Sequence, residues 1–154
     1  HKGEIVAGVV FDPAKDEMFV AEKGQGAWLN DSRLRVSDRR QMIECVFGTG
    51  IMGGGRGDLP ATLREIARLA PASAGIRRWG AAALDLAYVA AGRFDGYWDH
   101  GLKAWDLAAG LLIVREAGGL AEAFDTDRRI IESGDVIAAN ANIFDAFAKT
   151  VRHG

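Results

Sequence analysis

Two acids set close together, Asp99 and Asp106, carry the most pointed chemistry in this chain. Phe94-Asp95-Gly96-Tyr97-Trp98-Asp99 alternates as a strand does and puts Asp99 at its C-terminal end. A helix follows from Lys103 or Ala104 to a stop at Gly118-Gly119, with Asp106 in its first turn. In an α/β layer those two ends border one crevice, so the spacing predicts two convergent carboxylates. The partial charge of a helix N-terminus favours an acid by only about 0.3–1 kcal/mol. Partial burial costs more than that unless a cation or a set of donors meets the carboxylate. Oxygen donors of this kind suit a hard divalent cation. Lys103 either balances the two acids or approaches an anionic substrate, and His100 reads as a solvated turn residue.

A second feature lies upstream. Gly80-Ala81-Ala82 opens a helix that ends at Gly92, and it carries no bulky side chain. Backbone N–H groups at such a start are open to a ligand oxygen; the plainer reading is a tightly packed helix start. Leu84, Ala87, Tyr88 and Ala91 give that helix a buried face.

The run Trp105-Asp106-x-Ala108-Ala109-Gly110-x-x-x-Val114-x-Glu116-Ala117-Gly118-Gly119 resembles the C-terminal signature of the inositol monophosphatase family. Gly80-Ala81-Ala82-Ala83-Leu84-Asp85-Leu86-Ala87 and Phe94-Asp95-Gly96-Tyr97-Trp98-Asp99 resemble the elements that precede it there. The resemblance implies a Mg²⁺-dependent phosphomonoesterase acting on a small phosphorylated polyol, inositol 1-phosphate being the type substrate. It implies Asp106 as a ligand of a catalytic Mg²⁺ and as a substrate contact, with Gly80, Ala81, Ala82, Asp99 and Lys103 lining the substrate. Asp99 stands where the family usually has glutamate, and Ala81 where a hydroxyl residue is common. The implied architecture is α/β, the C-terminal part of an α-β-α-β-α layered sandwich with a mixed sheet flanked by helices. A homodimer is implied as well. The family's first glutamate ligand and its Asp-Pro-x-Asp-Gly-Thr loop are nowhere in the sequence. Residues 1–154 therefore read as one incomplete domain lacking the N-terminal metal-binding portion, and the chain alone is expected to be inactive and prone to associate. Neighbouring sugar or nucleotide phosphatase specificities fit the same half. So does a non-catalytic role beside the transcription or ribosome-assembly machinery.

The first half supplies scaffold. Strands over Ile5–Phe11, Glu17–Glu22, Ala27–Leu29 and Arg33–Ser37 form an antiparallel meander. Asp12-Pro13 is a turn, because Lys15 occupies the place of the second aspartate in the metal motif. Gly48-Thr49-Gly50-Ile51-Met52-Gly53 spells a dinucleotide fingerprint, yet Gly54, Gly55 and Gly57 follow where a helix should open, and no acid stands about 20 residues on. It reads as a loop beside a cleft, and Arg56-Gly57-Asp58 as coincidence. A helix from Leu59 to about Leu69, strands over Ala74–Trp79, Leu120–Phe124 and Val136–Asn140, and a closing helix over Asn140–Val151 complete the pattern.

Hydrophobic residues at 49% and charged ones at 26% are ordinary for a globular chain, and 154 residues suffice for one core. A net charge of −2 argues against a nucleic-acid footprint or a membrane surface, and makes a phosphorylated ligand dependent on recruited cations. The basic pairs Arg39-Arg40, Arg77-Arg78 and Arg128-Arg129 are scattered; Arg78 is the one interface candidate. The single cysteine, Cys45, points to the cytoplasm.

Overall fold

A computed structural model describes residues 1–51 and 58–153. Its first sheet is the expected meander: β1 (Ala7–Asp12), β2 (Glu17–Glu22), β3 (Gly26–Leu29) and the short β4 (Ser32–Arg33), antiparallel in that order. Burial alternates along β1, with Gly8, Val10 and Asp12 inward and Ala7, Val9 and Phe11 outward. The fourth strand is shorter than the expected Arg33–Ser37, because Ser37 leaves the ladder to bond elsewhere.

The second sheet has five strands in the order β6-β5-β7-β9-β8. Here β5 is Val46–Thr49, β6 Gly75–Arg77, β7 Gly96–Asp99, β8 Gly119–Glu122 and β9 Val136–Asn140. β5 pairs in parallel with β6 and β7, whereas β9 runs antiparallel to both β7 and β8. The sheet is mixed, as expected. Five helices accompany it among the described residues: α1 (Leu59–Leu69), α2 (Ala82–Ala90), α3 (Ala104–Glu116), α4 (Ile130–Ser133) and α5 (Phe144–His153). The single turn α4 is additional to the sequence reading. The closing helix starts later than Asn140, whose side-chain oxygen accepts from Asn142 and Ile143 N–H and turns the chain into it.

Helices α2 and α3 lie between the two sheets, which explains why α3 is apolar all round. On one side they meet β1 and β2, and on the other β7, β8 and β9. Close approach sets the residue types. A Cβ on Gly8 would stand 2.9 Å from the Cα of Ala109, and one on Gly110 would stand 2.6 Å from Leu86 Cβ. Small residues at 109 and 110 thus let one helix be gripped from two directions. At its far end Glu116 accepts from Gly24 and Gly26 N–H, at 2.8 and 2.9 Å, tying the β2–β3 turn to the helix. Gly118 follows with φ +90°, a left-handed stop.

On the far side of the second sheet, α1 and α5 cover Phe47, Trp98, Ile137 and Ala139. Asp95 buckles this region together. It accepts from Ser37 Oγ, from Arg39 at 3.1 Å and from Val46 N–H at 2.8 Å, while Asn140 Nδ2 donates to Ser37 Oγ at 2.8 Å. Among the described residues nothing covers the outer face of the first sheet, where Val9, Phe11, Met18 and Trp28 are all exposed. No helix among the described residues is long and apolar enough to cross a membrane.

Candidate active site

A cleft of about 320 Å³ opens where α2 and α3 begin and β7 ends. Its wall includes Gly50, Ile51, Arg78, Gly80, Ala81, Ala82, Asp85, Tyr97, Asp99, Leu102 and Asp106. Five of the six residues named from the sequence are therefore brought together. The sixth, Lys103, is not in this wall. Its backbone serves instead: the N–H of Lys103 donates to Asp106 Oδ2 at 2.9 Å, and its carbonyl accepts from Asp106 N–H at 2.9 Å. This reciprocal pair starts α3 and fixes the Asp106 rotamer. Among the described residues Asp106 makes no ion pair, and no donor meets its Oδ1.

Strand β7 is buried along its whole length and delivers Asp99 to the cleft. Tyr97 Oη donates to Asp99 Oδ2 at 2.7 Å, and His100 N–H to Oδ1 at 2.8 Å. Burial raises the Asp99 pKa above the ordinary carboxylate value, against the lowering pull of these two donors. Burial also drives the Tyr97 phenol well up, helped by the neighbouring Asp99 charge. The loop beyond is pinned: Leu102 N–H donates to Gly134 carbonyl at 2.8 Å, and Gly101 N–H to Asp135 at 3.1 Å.

Helix α2 starts after Gly80, whose φ of +87° is left-handed, and Ala81, which is extended. The N-cap residue, Ala81, offers no side-chain cap. One turn in, Asp85 is 1% exposed and its Oδ1 has no hydrogen-bond partner among the described residues. Burial first, then the charge of Asp99, pushes its pKa up to about 7. The sequence motif Gly80–Ala87 includes Asp85 but assigns it no role. Its position in the first turn of α2, three residues beyond Ala82, is the available signal.

His100 is not the solvated turn residue expected. Its Nε2 lies 2.9 Å from Glu65 Oε1, its ring packs on Phe124 at 4.1 Å, and Trp98 Nε1 donates to Glu65 Oε2 at 2.9 Å. The i+1 neighbour of a cleft residue thus anchors α1 to the back of the site. Of the glycine-rich loop, Gly50 and Ile51 line the cleft, and Arg78 donates to Ile51 carbonyl at 3.3 Å. Met52, Gly53, Gly54, Gly55, Arg56 and Gly57 lie outside the described residues.

A larger cavity of about 620 Å³ sits beside the C-terminal end of α3, near Ile5, Leu112, Arg115 and Ile130. Several of its charges pair within the protein: Lys23 with Glu4 and Arg129 with Glu132, while Glu116 holds the two turn amides. The smaller cleft is the one with convergent, under-satisfied acids.

A model of the family described as "Inositol monophosphatase family" matches residues 1–153. The chain belongs to the inositol monophosphatase family. An inositol-1-monophosphatase of Mesorhizobium japonicum is 48% identical over 152 residues, covering 99% of this chain and 57% of that protein. A Nus factor SuhB of Pseudomonas aeruginosa is 44% identical over 154 residues, again covering 99% and 57%. Among solved structures, extragenic suppressor protein suhB from Bartonella henselae superposes with a TM-score of 0.93 at 44% identity, over 99% of this chain and 59% of that one. Inositol monophosphatase from Anabaena gives 0.88 at 37% identity, over 95% and 58%. The chain thus spans a little over half the length of the relatives it matches.

Members of this family are generally metal-dependent phosphatases, and the donor set can be tested against that. Asp106 offers a hard carboxylate oxygen that makes no ion pair among the described residues, a donor suited to a divalent ion. Yet among the described residues no group of three or more His, Cys, Asp or Glu side chains is gathered as a metal cage. The residues fit one ligand's share of a site, not the whole of it.

Proposed function

We propose that the protein to which this chain belongs hydrolyses the phosphate monoester of a small polyol, with inositol 1-phosphate as the first candidate and Mg²⁺ as the metal. The observation that supports this is Asp106, lining the cleft with Asp99, Asp85 and the open start of α2, its carboxylate in no ion pair among the described residues. Asp106 would hold one metal ion. A bound divalent cation supplies charge neutralisation for the phosphoryl oxygens and activation of the attacking water.

The remaining work falls to the chain itself. The uncapped N–H groups of α2 donate to substrate oxygens, and Gly80, Ala81 and Ala82 leave room for that approach. Asp99, oriented by Tyr97 and His100, accepts from a hydroxyl of the polyol. Leu102 closes one side against water. Lys103, exposed at the N-cap of α3, meets an anionic substrate before it enters. The other metal ligands would come from the part of the relatives outside this chain, so residues 1–154 alone are expected to be inactive. The same reading carries a homodimer as the assembly and the cytoplasm as the compartment, with Cys45 a buried free thiol.

The test is phosphate release from inositol 1-phosphate by the complete polypeptide with Mg²⁺. Asp106→Asn should lower kcat/KM by on the order of 100-fold or more. A variant as active as the wild type would refute the assignment of Asp106. One observation favours a second role: relatives of comparable identity are named Nus factor SuhB. If Asp106→Asn abolishes hydrolysis while a protein partner still co-purifies, the two roles are separate.

A further inference from the structure

Among the described residues, Asp85 is the buried acid left with an unmet carboxylate oxygen. The other buried acids are satisfied. Asp12 holds Ala14 N–H and Lys15, Glu65 holds Trp98 and His100, Asp95 holds Ser37, Arg39 and Val46, and Asp99 holds Tyr97 and His100. Folded proteins rarely leave a buried acceptor without a donor, because the group forfeits its hydration for nothing. At 1% exposure, Asp85 cannot be satisfied from the general surface. It lines the 320 Å³ cleft, so the missing donor comes from what the cleft binds.

The chemistry of that donor is restricted. A phosphoryl dianion has acceptors only, and it would be repelled by Asp85 and Asp99. A hydroxyl supplies an O–H and accepts in return from the uncapped amides of α2 that start one turn away. Asp99 has both oxygens engaged by Tyr97 and His100 and keeps further lone pairs toward the cleft. Both acids line the cleft, where Arg78 is the one basic residue among the described lining.

We propose that Asp85 is a specificity-determining residue whose carboxylate accepts a hydrogen bond from a hydroxyl of the polyol moiety. The proposal rests on the phosphatase reading above and adds to it a reason for choosing hydroxylated esters over plain ones.

The experiment compares inositol 1-phosphate with 4-nitrophenyl phosphate, which has no hydroxyl on its leaving group, in the complete protein with Mg²⁺. Asp85→Leu should raise KM for inositol 1-phosphate about tenfold, the loss of one good hydrogen bond, and lower kcat/KM for inositol 1-phosphate about tenfold more than for 4-nitrophenyl phosphate. Asp85→Asn keeps an acceptor oxygen and should restore most of the affinity. Should Asp85→Leu not fold, Asp85→Ala, which removes the carboxylate without adding bulk, is measured in its place. Equal losses on both esters, or no loss on either, would overturn the proposal. If the wild type releases phosphate from neither ester, the phosphatase reading fails. The proposal is then decided by myo-inositol alone. A thermal shift seen in the wild type and lost in the Asp85 variants supports it, and the same response in both overturns it.

Discussion

The Asp99 carboxylate rests directly on the backbone of Gly50, where a methyl group would stand 2.5 Å from its Cγ. The middle glycine of a run that spells a nucleotide fingerprint is needed here for room. Gly50→Ala must push Asp99 off its bonds to Tyr97 and His100 N–H. In the complete protein, kcat/KM for the polyol ester should fall about 10- to 100-fold, the usual cost of misplacing a positioning group by about an ångström. Circular dichroism unchanged from the wild type would separate this from unfolding.

Glu65 takes hydrogen bonds from two partners at the back of the site, Trp98 and His100. Glu65→Ala leaves a buried indole N–H and an imidazole unpaired and should cost about 2–4 kcal/mol in urea unfolding. Burial is the largest influence on His100 and lowers its pKa, but the bond to Glu65 and the charges of Glu65, Asp135 and Asp99 outweigh it, so the net shift is upward. A raised histidine stabilises the fold below its unfolded pKa of about 6.5, and that contribution fades as pH rises through the folded value. The stability gap between wild type and His100→Gln should accordingly shrink as the solution is made alkaline.

Asp85 shifts stability the same way, over a lower pH range. Its pKa, pushed up to about 7 by burial and Asp99, means that the folded protein holds a proton the unfolded chain has lost. Ionising it therefore destabilises the fold progressively as pH rises from about 4 to about 7. Asp85→Asn should raise Tm relative to the wild type at alkaline pH and lose that advantage toward about pH 4, read by calorimetry across the range.

Gly110 has Leu86 Cβ where its own Cβ would go. Gly110→Ala should destabilise by about 1–3 kcal/mol through forced separation of α2 and α3, despite the better helix propensity of alanine. A gain in stability would contradict the sandwich packing described above.

Val9, at 58% exposure, and Phe11, at 48%, stand on the uncovered face of the first sheet, on a strand whose outer edge pairs with nothing among the described residues. Such a face and edge invite association. The isolated chain should elute in size exclusion above its 16.5 kDa mass, and Val9→Lys with Phe11→Glu should shift it toward monomer. A clean wild-type monomer would count against this.

Much of this was legible beforehand. The all-apolar α3 foretold a helix held between layers, and its flanking acid foretold the cleft wall. The meander followed from alternation and turn residues. What stayed hidden depended on distant partners. Nothing local says that Lys103 acts through its backbone, or that His100 turns inward to a glutamate on α1. Asp85 was obscured for a related reason: an acid in the first turn of a helix carries no local sign of burial until the fold supplies it. The shortening of the fourth strand likewise needs Asp95, which lies far away in the chain.

Trp105, 81% exposed, immediately precedes Asp106 on the first turn of α3. An indole in that place looks outward while its neighbour looks into the cleft. Its fluorescence should be sensitive to the field of any ion captured by the adjacent acid, giving an optical titration that requires neither label nor turnover.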